Sequence, residues 1–114
     1  MEKIDRRPWG YYEVLSNASD HKVKRIVVEP KGRLSLQRHK LRNEHWFVVS
    51  GNGLAVIEDR EFPLRAGSAI DILSQARHRV ENCSTENLVI IEVQTGDYFG
   101  EDDIERFADD YDRT

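Results

Sequence analysis

The sequence predicts an all-β sandwich or barrel. Three observations carry this. Apolar residues alternate with a period of two over most of the chain, the apolar runs are short, and turn residues separate them at regular spacing.

The elements follow in order. Tyr11 to Leu15 is short, aromatic and rich in β-formers. Residues 22–28 alternate, with Val23 and Val27 on one face. Leu34 to His39 alternates too, so Arg33, Ser35, Gln37 and His39 share a face. Trp46 to Val49 is a buried-type run. Gly51-Asn52-Gly53 then supplies residues that tolerate positive φ, the signature of a tight turn into a strand over Leu54 to Ile57. Glu58-Asp59-Arg60 is the next turn, and Glu61 to Leu64 the return strand. Residues 68–73, 78–81 and 88–95 complete the strands. The last segment changes period. Ile104, Phe107 and Tyr111 fall at i, i+3 and i+7 behind Glu101-Asp102-Asp103, which predicts a short C-terminal amphipathic helix with acids at its positive end.

The 114 residues suit one domain spanning the whole chain, 1–114. Cys83 is the single cysteine, so no internal disulfide forms, and a reducing, cytoplasmic setting is expected. No apolar stretch follows Met1 to Arg7, so no secretory signal is expected, and no run approaches the roughly 20 residues that cross a bilayer. A net charge of -4 gives no bulk electrostatic reason to bind nucleic acid.

The chemistry concentrates in Gln37-x-His39-x4-Glu44, with His78 further on. An amide oxygen, two imidazoles and a carboxylate suit a divalent transition metal, zinc first, with positions left open for chemistry. The side chains alone leave a plainer reading open, in which Gln37 and His39 are solvent-facing groups on a half-buried strand. Glu92 and Gln94 share a face with Leu88 and Ile90. A carboxylate there needs a partner, so Glu92 is either a site residue or half of a buried ion pair. His45 alternates with Glu44 and faces away from the metal. Trp9 and Trp46 are core or wall residues, and Cys83 is an inert strand-end thiol.

The flanking residues add a resemblance. Gly32 ahead of Gln37, Gly51 after Glu44, Gly67 ahead of His78 and Asn82 after it resemble the two motif blocks of the cupin family. Nearly the whole chain resembles type II phosphomannose isomerase, a cupin domain usually joined to a mannose-1-phosphate guanylyltransferase. The blocks are Arg7-Pro8-Trp9-Gly10, Lys22-Val23-Lys24-Arg25-Ile26, Leu34-Ser35-Leu36-Gln37, Arg42-Asn43-Glu44-His45-Trp46, Ile91-Glu92-Val93-Gln94 and Gly100-Glu101-Asp102-Asp103-Ile104. These residues contain no Gly-rich segment of the guanylyltransferase half. Two departures stand out. The family commonly has three consecutive histidines after Gln-Met, where this chain reads Arg38-His39-Lys40-Leu41, and Leu73 and Gln75 replace the second block's proline and glycine. Arg77 or Arg79 is then placed to enter the pocket.

The resemblance implies a single cupin barrel, the double-stranded β-helix or jelly roll. It implies interconversion of mannose 6-phosphate and fructose 6-phosphate through an enediolate, with Gln37, His39, Glu44 and His78 holding the metal. Glu92 or Lys24 would move the proton. Arg42 comes first for phosphate or substrate contact, then Arg33, Arg25 and Gln94. Two alternatives remain: a non-catalytic cupin that binds a sugar phosphate, and a non-haem iron oxygenase using His39, His78 and Glu44 as its triad. Pairing of cupins through N-terminal strands implies a homodimer, with Arg7 to Leu15 against the partner.

Overall fold

The computed structural model describes residues 4–108. Among them there are eleven strands and no helix. β1 (Ile4–Arg7), β2 (Gly10–Asn17), β3 (His21–Val28), β4 (Leu36–Arg38), β5 (Arg42–Ser50) and β6 (Asn52–Ile57) come first. β7 (Arg60–Arg65), β8 (Ala69–Ile72), β9 (His78–Glu81), β10 (Leu88–Gly96) and β11 (Glu105–Ala108) follow. They build a six-stranded sheet ordered β1-β2-β3-β10-β5-β8 and a five-stranded sheet ordered β11-β4-β9-β6-β7. The strand pairs within both are antiparallel. Strict alternation along β5 and β10 turns one face inward, and Trp46, Val48, Leu88 and Ile90 meet Ala55, Leu64 and Val80 of the other sheet there.

Gly32 and Asn82 are framework, not site. A Cβ on Gly32 would stand 2.5 Å from the Trp9 carbonyl, so only glycine allows that approach. The buried Asn82 amide donates to the Val28 and Glu86 carbonyls at 2.8 and 2.7 Å, and its oxygen accepts from the Ser84 N–H and hydroxyl. Its four side-chain bonds tie the end of β3 to the loop between β9 and β10.

The expected C-terminal helix does not form. Glu101 and Asp102 make a turn, and Glu105–Ala108 is a strand that pairs with β4. The acids serve as specific acceptors instead of complementing a helix dipole: Asp103 takes the backbone N–H groups of Lys40 and Leu41 at 3.1 and 3.0 Å. Phe107 has arginines in place of a helix's apolar neighbours, with the Arg38 and Arg77 guanidinium groups 5.5 and 4.2 Å from its ring centre. Tyr111, the third residue of the expected helical stripe, lies outside the described residues. The strand expected over Leu34 to His39 is shorter, Leu36–Arg38, which leaves His39 in the loop leading to β5.

Candidate metal centre and its pocket

One pocket opens between the two sheets at the barrel mouth. Strand register decides what faces it. β10 lies between β3 and β5, so residues of these three strands stand in cross-strand rows. Val48, Ile90 and Ile26 form an apolar row. Trp46, Glu92 and Lys24 form the next, and Glu44, Gln94 and Lys22 the one beyond. The inner face thus changes from hydrocarbon to charge within two rows, toward the mouth.

Glu44 is the centre of the charged part and is 4% exposed. His39 approaches it from the loop after β4, with Nδ1 3.3 Å from Oε2. His78 approaches from β9, with Nε2 3.7 Å from Oε1. One ligand atom from each of the three lies within 4.8 Å of the others. His78 Nδ1 donates to the Ala76 carbonyl at 3.0 Å, which fixes the ring with Nε2 turned toward Glu44. His39 Nδ1 is buried and has no hydrogen-bond partner among the described residues. A buried nitrogen without a partner, beside a carboxylate and a second imidazole, fits a divalent cation. Gln37 stands opposite His78 in register and lines the same pocket. Its amide nitrogen donates to the Ser35 carbonyl and hydroxyl at 3.3 and 3.1 Å, so its oxygen is the end available to a metal.

Arg42 supports this cluster. Its Nε donates to Glu44 Oε2 at 2.9 Å, and its Nη2 stands 3.0 Å from His39 Nε2. Its Nη1 is buried with no partner among the described residues. The Trp46 indole N–H bridges two carboxyls, at 3.1 Å from Glu44 and 3.2 Å from Glu92. Gln94 donates to the other Glu92 oxygen, so it stands behind Glu92 and does not line the pocket.

The electrostatics follow from burial and neighbours. Burial pushes the Glu44 carboxyl up, but His78, Arg42 and His39 more than offset this and hold it well below the usual carboxylate range. Burial, and then the Glu44 charge, push Glu92 up. Burial pushes His39 down to about 4, against the pull of Glu44. At neutral pH the imidazole is therefore neutral, accepting from Arg42 at Nε2 and carrying its proton on Nδ1; a cation bound at Nδ1 would displace that proton and the Arg42 contact with it.

Lys24 faces the pocket, with its ammonium 2.5 Å from Glu101 Oε2 and 4.1 Å from the Tyr12 ring centre. Arg25 and Arg33 do not reach it. Arg25 alternates outward from Lys24 and pairs with Glu13 at 3.6 Å, and Arg33 pairs with Glu81 at 3.1 Å. His45 faces away, bonded to Asp71. Of the two arginines near His78, Arg79 lines the pocket and Arg77 stacks on Phe107. Sequence reasoning missed Arg7, Tyr12, Glu101 and Arg106, all lining residues. Inward parity with Lys24 across β2 marks Tyr12, but no local pattern marks Glu101, which acts from a turn.

Residues 2–109 match the family model described as "Mannose-6-phosphate isomerase C-terminal". The chain is 46% identical over 108 residues to the alginate biosynthesis protein AlgA of Pseudomonas aeruginosa, covering 95% of this chain and 22% of the relative. It is 43% identical over 104 residues to a mannose-1-phosphate guanylyltransferase of Sinorhizobium fredii, covering 91% of this chain and 20% of that one. The chain thus spans about one-fifth of the length of these curated relatives. Among solved structures, the capsular polysaccharide assembling protein CapF of Staphylococcus aureus superposes with a TM-score of 0.81 at 18% identity, over 95% of this chain and 34% of that one. That likeness is one of fold.

Proposed function

The chain belongs to the family of mannose-6-phosphate isomerase C-terminal domains, and from this we propose that it is a metal-dependent aldose–ketose isomerase interconverting mannose 6-phosphate and fructose 6-phosphate. The observation that carries the reading is the buried cluster of His39, Glu44 and His78 in the wall of a pocket that is rich in cations. Arg7, Lys24, Arg42, Arg79 and Arg106 line it against Glu44, Glu92 and Glu101, a surplus of positive charge in a chain whose net charge is -4. That surplus suits a phosphate ester.

His39, Glu44, His78 and Gln37 would hold a divalent cation, zinc first, which would supply Lewis-acid stabilisation of the charge that develops on the sugar oxygens. The residues do the rest. The isomerisation moves the C2 proton of the aldose to C1 and the O2 proton to O1, through an enediolate. Glu92 faces the pocket beside the metal cluster and carries the carbon-bound proton in both directions. The Trp46 and Gln94 donors fix its position. Arg42 keeps Glu44 ionised and aims it at the cation. Tyr12, Trp46 and Ile90 form the apolar wall that limits water. The relatives' names join alginate biosynthesis and mannose-1-phosphate chemistry, so the product flow would serve polysaccharide precursors.

The departures from the resembled isomerases do not touch this set. Lys40 and Leu41, where further histidines are common, are exposed and do not line the pocket. The pocket groups are therefore intact, which favours an enzyme over a non-catalytic binding domain.

The test is conversion of mannose 6-phosphate by chelated and zinc-reloaded protein in a coupled assay. Conversion stops on chelation and returns with metal. Turnover by metal-free protein overturns the reading, and so does inactivity of protein shown by elemental analysis to carry its metal. His39→Ala and His78→Ala should each lose the bound metal.

A further inference from the structure

Alternation along β3 turns Lys22 and Lys24 inward at successive positions, and both side chains are nearly buried, at 11% and 5% exposed. Two buried ammonium groups need anionic partners. They converge on a single oxygen, Glu101 Oε2, at 3.4 and 2.5 Å. Lys22 adds a bond to the Phe99 carbonyl at 3.2 Å. One carboxylate balances one of the two charges. The Glu92 carboxyl opposite Lys24 is turned toward Trp46 and Gln94. Arg42, whose field also reaches Glu101, has the buried Nη1 without a partner in the same pocket.

The two sides of this contact are unlike. The lysines are fixed in a sheet, whereas Glu101 sits on a turn between β10 and β11 with its side chain 42% exposed. We propose that Lys22 and Lys24 form an anion subsite for a phosphoryl group, and that Glu101 fills it in the absence of ligand as an internal stand-in. An entering phosphate dianion matches both ammonium charges where the carboxylate matches one, and the Glu101 turn swings outward to admit it. Strand spacing gives the subsite a place relative to the metal cluster. β3 and β5 are separated only by β10, so their backbones lie about 10 Å apart. A hexose phosphate laid across β10 then puts its phosphate at Lys24, which lines the pocket with Lys22 behind it at Glu101, and its carbonyl end at Glu44. That orientation rests on the isomerase reading, while the anion subsite does not.

The experiment titrates inorganic phosphate into the chelator-treated 114-residue chain by calorimetry. Removing the internal competitor with Glu101→Gln should tighten phosphate binding by about tenfold, as expected when the competent open form is roughly one-tenth populated. Adding Lys24→Met to that variant should abolish the gain. An unchanged or weaker affinity in folded Glu101→Gln protein overturns the proposal, as does a gain that survives Lys24→Met. Should Glu101→Gln fail to fold, phosphate titrated into the wild-type chain must shift the NMR signals of Glu101 and the Lys24 ammonium together and saturably. Absence of those shifts overturns it too. If phosphate behaves as stated while no hexose phosphate is turned over, the isomerase reading fails and the subsite stands. Turnover with an unmoved phosphate affinity has the opposite meaning.

Discussion

Gln75 shows how one side chain can depart from its family without disturbing the site. It stands where the second cupin motif block has glycine, and its φ is 74°, in the left-handed region. Its N–H bonds the His39 carbonyl at 2.7 Å, so this strained turn holds the His39 loop from behind. Glycine adopts that φ without the Cβ penalty but gives up more chain entropy on folding. We expect Gln75→Gly to stabilise the fold by up to about 1 kcal/mol in denaturant titration; a loss of stability would mean the glutamine side chain contributes contacts of its own. Legibility at this scale followed strand parity. Gln37, Glu44 and His78 lie on strands, where alternate residues share a face; His39 was expected on the Gln37 strand by the same parity and reaches the cluster from the loop after it instead. Parity also separates Lys24 from Arg25, yet chemical type drew Arg25 and Arg33 into the expected site when their partners, Glu13 and Glu81, lie outside it.

β11 carries the clearest difference between the helix the period suggested and the structure. The spacing of Ile104 and Phe107 is compatible with a helix, but the open edge of β4 offers backbone partners that a short isolated helix lacks. Tertiary context overrode local period here, and no window of sequence contains the β4 edge. The consequence reaches the loop that carries His39, because Asp103 clamps the Lys40 and Leu41 N–H groups between His39 and Arg42. Asp103→Ala should loosen that loop and weaken zinc binding by about tenfold, as loss of supporting contacts around metal ligands commonly does. Competition with a chromophoric chelator measures this; unaltered zinc affinity would show the clamp to be irrelevant to the site.

Across the whole molecule, one surface runs from the Val48, Ile90 and Ile26 row to the Glu44, Gln94 and Lys22 row, so core and site are continuous. The all-β class was legible because alternation and turn residues recur throughout the chain. The row structure was not, since it depends on which distant strands pair. A metal bound only by the folded state should stabilise it by about 4 kcal/mol at a thousandfold excess over the dissociation constant. Thermal melts with and without zinc check this, and coincident curves would deny the coupling. The place of β10 has a further consequence, for the order of assembly. β3 and β5 are near neighbours in the chain, but they do not pair with each other; Leu88–Gly96, from much later in the chain, slots between them. Until that late strand arrives, both expose unpaired edges rich in valine and isoleucine or phenylalanine, the kind of surface that invites pairing with other chains. The strand that sets Glu92 between Lys24 and Trp46 is thus also the one whose arrival ends the chain's exposure to aggregation.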